Sequence, residues 1–425
     1  MARTLFTNAL VFDGTGGKPV AGAVLIEGNV IAAVGQVDVG EADTVIDAGG
    51  GFVMPGMVEG HAHLSFENVT ATEDLITPTA EMQAFMAARG ARALIEAGFT
   101  SAYGASEAKL GLAVAVREEV NAGRLPGPRI RAGGMEISVT GAMGDEGKAH
   151  NPRIGPSTIV DGPEEMRRAV RLHCREGVDN IKLDVSGDPF YPSTPGHTTP
   201  MSFEEVDMAV KTAHAYGRKI NAHTRSIEGS KHCVRAGVDA IFHVEYADEE
   251  LLDMLEEAKD RIFVVPTVGL FHQIMAGEAT AFGLSPEVAG YMNIPELLEN
   301  SAKTHSELRK RGVRHLIGGD YGFAWSPQGT QGRDIEAFID LYGYSPAGAL
   351  VCATANGGLA MMADGSLGTL EQGKLADLIV VQGNPLDDPR VLQGPDAIRL
   401  VMKDGQLCKN MLGAPVSSPA LETTQ

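Results

Sequence analysis

Residues Val53–Leu64 read VMPGMVEGHAHL, an apolar run that ends on two histidines. The run Phe52–Val58 has the length and composition of a strand. His61 and His63 follow it at positions i and i+2, and on a strand such residues point the same way. Two imidazoles on one face at a strand's C-terminal end suit a metal ion. An isolated His-x-His is weak evidence, because histidines also simply pack. Its meaning depends on what the rest of the chain sets beside it.

Toward the C-terminus, short apolar runs recur at Thr100–Tyr103, Arg129–Ala132, Asn180–Val185, Lys219–Ala222, Ala240–Phe242, Ile262–Thr267 and Leu316–Gly319. Helix-like segments lie between most of them: Thr79–Ala97, Ala108–Ala122, Pro163–Glu176, Ser202–Tyr216, Ser226–Ala236, Asp248–Lys259 and a longer one ending near Arg311. Several close on glycine, the usual helix stop because it tolerates a left-handed backbone. Eight strands alternating with helices predict an α/β fold, a parallel (β/α)8 TIM barrel over residues 56–361.

Toward the N-terminus the texture is β-rich and turn-broken, with strands expected at Leu5–Phe12, Ala23–Ile26 and Val30–Val34. After two further helical segments, Asp334–Tyr342 and Ser345–Asn356, it returns at Gly368–Leu370, Leu378–Gln382 and Ile398–Met402. The simplest organisation is a small flanking β-sandwich domain built from both ends, residues 1–55 and 362–415, with a disordered tail at 416–425.

Composition bounds the function. The net charge of -20 argues against nucleic acid, whose phosphates need Lys and Arg, and against anionic membrane surfaces. No run of about 18 apolar residues exists to span a bilayer, and the first residues do not read as a secretory signal. The four cysteines, Cys174, Cys233, Cys352 and Cys408, form no C-x-x-C pair. They read as packing thiols in a reducing cytoplasm.

Polar residues then fall at the predicted strand ends. Lys182 lies inside Asn180–Val185, His223 directly follows Lys219–Ala222, His243 ends Ala240–Phe242, and Asp320 follows Leu316–Gly319. In a parallel barrel the C-terminal strand ends carry the active site. A buried lone Lys is costly unless paired or neutralised. Six ligand-type residues at five strand ends are hard to obtain by chance.

The order His-x-His, Lys, His, His, Asp resembles that of binuclear members of the amidohydrolase superfamily. Flanking phrases agree: NIKLDVSGD at 180–188, INAHTRS at 220–226 and GTLEQGKLADLIVV at 368–381. The Ile-Lys-x-x-x-Ser-Gly phrase and GGMEISVTGAMGD at 133–145 are most similar to the branch holding prolidase-like carboxypeptidases, ochratoxinase, phenylurea hydrolase and molinate hydrolase. Where much of that branch has Thr-Gly-Gly-His-Gly, this chain has Thr140-Gly141-Ala142-Met143-Gly144. That departure shifts the expected substrate from carboxypeptidase peptides toward amides, ureas, carbamates or thiocarbamates.

The resemblance implies two divalent ions per chain. His61, His63 and Asp320 would bind one, and His223 and His243 the other. Lys182 would bridge them as a CO2-carboxylated lysine, since an ammonium offers no lone pair. Zinc suits imidazoles with a few carboxylates best, with cobalt, manganese and iron as alternatives. Two ions would generate hydroxide near neutral pH, with Asp320 as general acid and base for the leaving nitrogen. Small-molecule substrates of this kind include phenylurea herbicides, molinate, ochratoxin A and N-acyl amino acids, with Xaa-Pro dipeptides as the alternative. The relatives also imply a homo-oligomer, a tetramer or octamer.

Ser65, Asn68, Arg225, His272, Tyr321 and Trp325 are candidate substrate contacts, each weighed against turn, ion-pair or packing roles. His150 and His197 lie in long loops from which the site is within reach. A mononuclear deaminase of the same superfamily is a rival reading, but it would lack the Lys and carry a Glu beyond the strand-five His. A non-catalytic barrel scaffold would tend to lose ligands that this chain retains.

Overall fold

The computed structural model describes residues 1–38, 40, 42–191, 193–394, 396–413 and 416–417. Its strands are β1 (Arg3–Val11), β2 (Val20–Glu27), β3 (Val30–Gly35), β4 (Thr44–Asp47), β5 (Phe52–Pro55), β6 (Met57–Ala62), β7 (Phe99–Gly104), β8 (Arg129–Arg131) and β9 (Gly133–Ser138). They continue as β10 (Ser157–Ile159), β11 (Asn180–Asp184), β12 (Lys219–Thr224), β13 (Ala240–His243), β14 (Phe263–Val265), β15 (Leu378–Val381), β16 (Ile398–Lys403), β17 (Gln406–Asn410) and β18 (Val416–Ser417).

Both ends of the chain do meet in one sheet. β5 runs parallel to β1, with Leu10 opposite Phe52, and antiparallel to β15, with Met54 opposite Ile379. β15 then pairs with β16, and β16 with β17. One face buries Phe6, Val24, Ile26, Val53, Val380 and Leu400 as a core of its own.

The middle of the chain forms two parallel sets, β6-β7-β8 and β10-β9-β11-β12-β13-β14. Parallel strands need long crossovers, and helices supply them. The helix Ala80–Glu96 shows why such a segment forms. Thr79 caps it by accepting from the Met82 amide, and Ala87, Ala91 and Leu94 recur on its buried face, the spacing of one helical side. Similar helices follow at Leu112–Asn121, Gly162–Arg175, Phe203–Ala215, Ile227–Ala236 and Glu249–Glu257. The architecture is therefore α/β, with mixed and parallel sheets flanked by helices.

Three sequence expectations need correction. The apolar run Phe52–Val58 is two strands, because the chain changes sheet at Gly56. A side chain there would meet the Thr100 side chain at 2.1 Å, so only glycine allows the passage. Leu316–Gly319 is not a ladder strand. It touches its neighbours through single bonds: Leu316 N donates to Val264 O at 3.0 Å, and Gly60 N donates to Ile317 O at 2.9 Å. Gly368–Leu370 is a turn, and the missing sheet partner is β17, whose QLCKN text is polar because the strand is largely exposed. Of the expected tail, Val416–Ser417 pair antiparallel with β4, and 418–425 lie outside the described residues.

Candidate metal centre

The ends of β6, β11, β12 and β13 converge on one cavity of about 430 Å³, lined by His61, His63, Lys182, His223, His243 and Asp320 together. That size is ordinary for a small-molecule site. Close approach of the backbone makes the convergence possible. A Cβ on Gly318 would lie 2.7 Å from the His61 amide nitrogen, so glycine lets the 316–319 segment press against β6.

The histidines are oriented by their outward nitrogens. His63 Nδ1 donates to the Ser106 carbonyl at 2.8 Å, which leaves Nε2 as the lone-pair nitrogen. His223 Nε2 donates to the Gly187 carbonyl at 3.0 Å and leaves Nδ1 free. The Thr267 hydroxyl gives its proton to the Pro266 carbonyl at 2.7 Å, so it accepts from His243 Nδ1 and frees Nε2. Such outer contacts set which nitrogen can bind a metal. Burial holds three of the imidazoles neutral: His61 and His243 are pushed well below their ordinary range, and His223 down to about 4. The His61 Nδ1 atom is buried without a hydrogen-bond partner.

Ligand-type atoms of His61, His63 and Asp320 lie within 4.8 Å of one another. His63 Nε2 is 3.1 Å from Asp320 Oδ1, and His61 Nε2 is 3.9 Å. Burial raises the Asp320 carboxyl, but His61, His63 and Lys182 outweigh it and hold it below the usual carboxylate range. The rings of His223 and His243 are 4.3 Å apart. This donor set, imidazoles with an ionised carboxylate and oriented lone pairs, fits divalent cations.

Lys182 is 2% exposed, with Nζ 3.5 Å from Glu136 Oε1 and 5.0 Å from the Phe242 ring centroid. Phe242 also stacks on His61. Several residues here hold positive φ: Asp320 at 62°, His243 at 76°, Val244 at 56° and Thr267 at 53°. Each such conformation costs about 1–3 kcal/mol, and such strain clusters at functional sites.

Of the six candidate substrate contacts, Trp325 lines the cavity. The other five do not. Ser65 is fully buried and accepts from the Ala108 amide at 3.0 Å. Its neighbour Glu107 accepts from the Leu64 and Ser65 amides, so this pair clamps the loop after His63. Asn68 is exposed, with φ at 54°, a turn position. Arg225 is buried, its Nε 2.8 Å from Asp188 Oδ2 and its Nη1 bonded to Glu245. His272 is exposed on the helix Gly269–Met275. Tyr321 is buried and donates to Asp334 Oδ1 at 2.8 Å. His150 and His197 also lie outside the lining.

Sequence reading missed Glu136, Asp188 and an apolar wall that includes Phe66, Leu270, Phe282, Leu284 and Phe323. Glu136 carried a signal: it is a lone charge inside the strand GGMEIS, as Lys182 is in NIKLD. The wall residues come from loops and from short helical turns, Leu270 on Gly269–Met275 and Phe282 on Thr280–Phe282, and gave none.

Residues 52–408 match the family described as Amidohydrolase family. The chain belongs to that family. It is a hydrolytic enzyme acting on carbon–nitrogen bonds, as expected from the sequence. Ochratoxinase of Aspergillus niger is 29% identical over 434 residues, covering 96% of this chain and 86% of that protein. A solved Xaa-Pro dipeptidase with methionine in its active site is 29% identical, with TM-score 0.83 over 96% of this chain and 99% of its own. Molinate hydrolase, 20% identical with TM-score 0.78 over 99% of both chains, shares the fold. Among the described residues, no helix is long and apolar enough to cross a membrane.

Proposed function

We propose that the chain is a binuclear metal-dependent hydrolase of amide-type bonds. His61, His63 and Asp320 would hold one ion, His223 and His243 the other, and a CO2-carboxylated Lys182 would bridge them. The observation that carries this reading is the orientation of His63, His223 and His243: each has one nitrogen committed to a carbonyl or hydroxyl. Zinc is the metal this donor set favours. Bound there, the ions would supply Lewis acidity and lower the pKa of water.

The chain's own residues would do the rest. Asp320, kept ionised by its histidine neighbours, would take the proton of the attacking water at a carboxylate oxygen and pass it to the leaving nitrogen. Phe66, Phe323 and Trp325 would hold the apolar part of the substrate and exclude water. Ser106 and Ser157, whose hydroxyls lie 3.0 and 3.4 Å from the Glu136 carboxylate, would hold that side chain once Lys182 is an anion.

The hydrogen bonds of Leu316 to Val264 and of Gly60 to Ile317 support a closed (β/α)8 barrel over 56–361. So does the cluster joining Val58, Tyr103, Phe242, Val265 and Leu316. The sheet drawn from both ends supports a separate flanking β-sandwich domain at 1–55 and 362–415. A cytoplasmic homo-oligomer completes the reading.

Similarity to a Xaa-Pro dipeptidase favours a second reading, cleavage of dipeptides. Metal analysis with a panel of dipeptides, N-acyl amino acids, phenylureas and thiocarbamates tests both. About two ions per chain and cleavage of non-peptide amides are expected. One ion per chain would favour a mononuclear deaminase, and cleavage of Xaa-Pro dipeptides alone would favour the second reading.

A further inference from the structure

We infer that this cavity takes amides whose nitrogen substituent is uncharged and apolar, and that Glu136 turns away substrates carrying a carboxylate beside the scissile nitrogen. The inference rests on the hydrolytic reading above and narrows its substrate class.

In a dipeptide or N-acyl amino acid, the carboxylate sits one carbon away from the scissile nitrogen, its oxygens within roughly 4 Å. Drawn into a cavity away from water, such a group needs a cation or several donors. Among the described residues lining this cavity there is no arginine, and the sole lysine is Lys182, which the proposed centre uses as a ligand. Arg225, behind His223, is not available. Its Nε lies 2.8 Å from Asp188, its Nη1 is bonded to Glu245, and its guanidinium carbon sits 4.8 Å from the Phe271 ring centroid. The cavity presents Glu136 instead, with its side chain 16% exposed and Lys182 as its cationic neighbour at 3.5 Å. Carboxylation of Lys182 would remove that ammonium, so the side chain of Glu136 would face the substrate with no cationic side chain beside it. Like charges at close range give discrimination against a partner rather than affinity for one. The hydroxyls lining the cavity are those of Thr70 and Thr72, which donate to Asp74 and Glu146, and of Tyr191, while Phe66, Leu270, Leu284, Phe323 and Trp325 line the same cavity and suit an aryl or alkyl arm.

A matched pair tests this: N-(2-phenylethyl)benzamide and N-benzoyl-L-phenylalanine, which differ by the carboxylate. Trp325 is the chain's one tryptophan and lines the cavity, so its fluorescence in the metal-loaded enzyme reports binding apart from turnover. The uncharged amide should bind about tenfold or more tighter, and be hydrolysed with the higher kcat/KM. Glu136→Gln should narrow that binding ratio by raising affinity for the carboxylate. Equal or tighter binding of N-benzoyl-L-phenylalanine by the native enzyme would overturn the inference. A Glu136→Gln protein that weakens both compounds alike, with the ratio unchanged, would remove Glu136 as the selector. Should neither compound be hydrolysed while the binding order holds, the hydrolytic reading fails and the charge selection stands.

Discussion

At the start of β11, Asn180 donates to the Gly104 carbonyl at 2.9 Å and accepts from Arg131 at 3.0 Å. Asp179 beside it accepts from Arg117, Arg218 and the Ala132 amide. At the other end of the same strand, Lys182 has Glu136 at 3.5 Å, and no donor reaches either oxygen of the buried Asp184. Burial and the neighbouring Glu136 charge push the Asp184 carboxyl well above its usual range. Both ends are rich in polar groups. One end pairs nearly all of them, as structural polar groups require, with Arg218 Nε left over. The other leaves capacity unused and adds backbone strain, which a fold tolerates where a site needs it.

Stripping divalent ions with a chelator should act wholly at the unsaturated end. Activity should vanish and return with added zinc, and the thermal midpoint should fall because bound metal stabilises the folded chain. Full turnover in metal-free protein would erase the contrast. Next in size, Asp320→Asn should lower kcat by about 10²–10⁴-fold, the range for general acid–base groups, while circular dichroism stays native. Lys182→Ala should reduce both activity and metal content; unchanged turnover would sink the two-metal reading.

The saturated end should answer in stability instead. Arg129 pairs with the buried Asp377 at 3.2 Å and with Asp404. Arg129→Ala should cost about 2 kcal/mol in denaturant unfolding, less than a fully buried pair because Arg129 keeps 18% exposure. Activity per folded molecule should not move. Burial, against the pull of Arg129, raises the Asp377 carboxyl to about 6, above the unfolded value of about 3.9. Between those values the unfolded chain gives up its proton first, so this group's contribution to stability is lost as pH rises from about 4 to 6. Asp377→Asn should flatten that segment of the pH–stability curve. Smallest of all, Tyr321→Phe should cost about 1 kcal/mol, one hydrogen bond to Asp334, with KM unchanged. A raised KM would return Tyr321 to the substrate.

Legibility in the sequence followed the same divide. His61, His63, Lys182, His223 and His243 were readable because a strand's period places them on one face and its end, with no long-range information; Asp320 was readable as the polar residue that closes the apolar run Leu316–Gly319, although that run is not a ladder strand. Helix caps and the glycines that stop helices were readable for the same local reason. Glu136 was overlooked although its strand carried the same kind of signal as Lys182. Tyr321 and Trp325 show the limit. Both follow Asp320 closely, yet one turns inward to Asp334 and the other joins the cavity wall with Phe282 and Phe323.

By itself, then, the sequence determined most of the strands and helices and the ligand-type residues beside them, because each depends on periodicity or on neighbours a few positions apart, and it pointed to the hydrolase family through the resemblance of whole motifs. Only the tertiary structure decided three things: that the chain changes sheet at Gly56, that Arg225 is enclosed by Asp188 and Glu245, and that an apolar wall with Glu136 faces the proposed metals. Those depend on which side chains meet across tens to hundreds of residues, and packing settles that through close approach and charge pairing that no local pattern encodes.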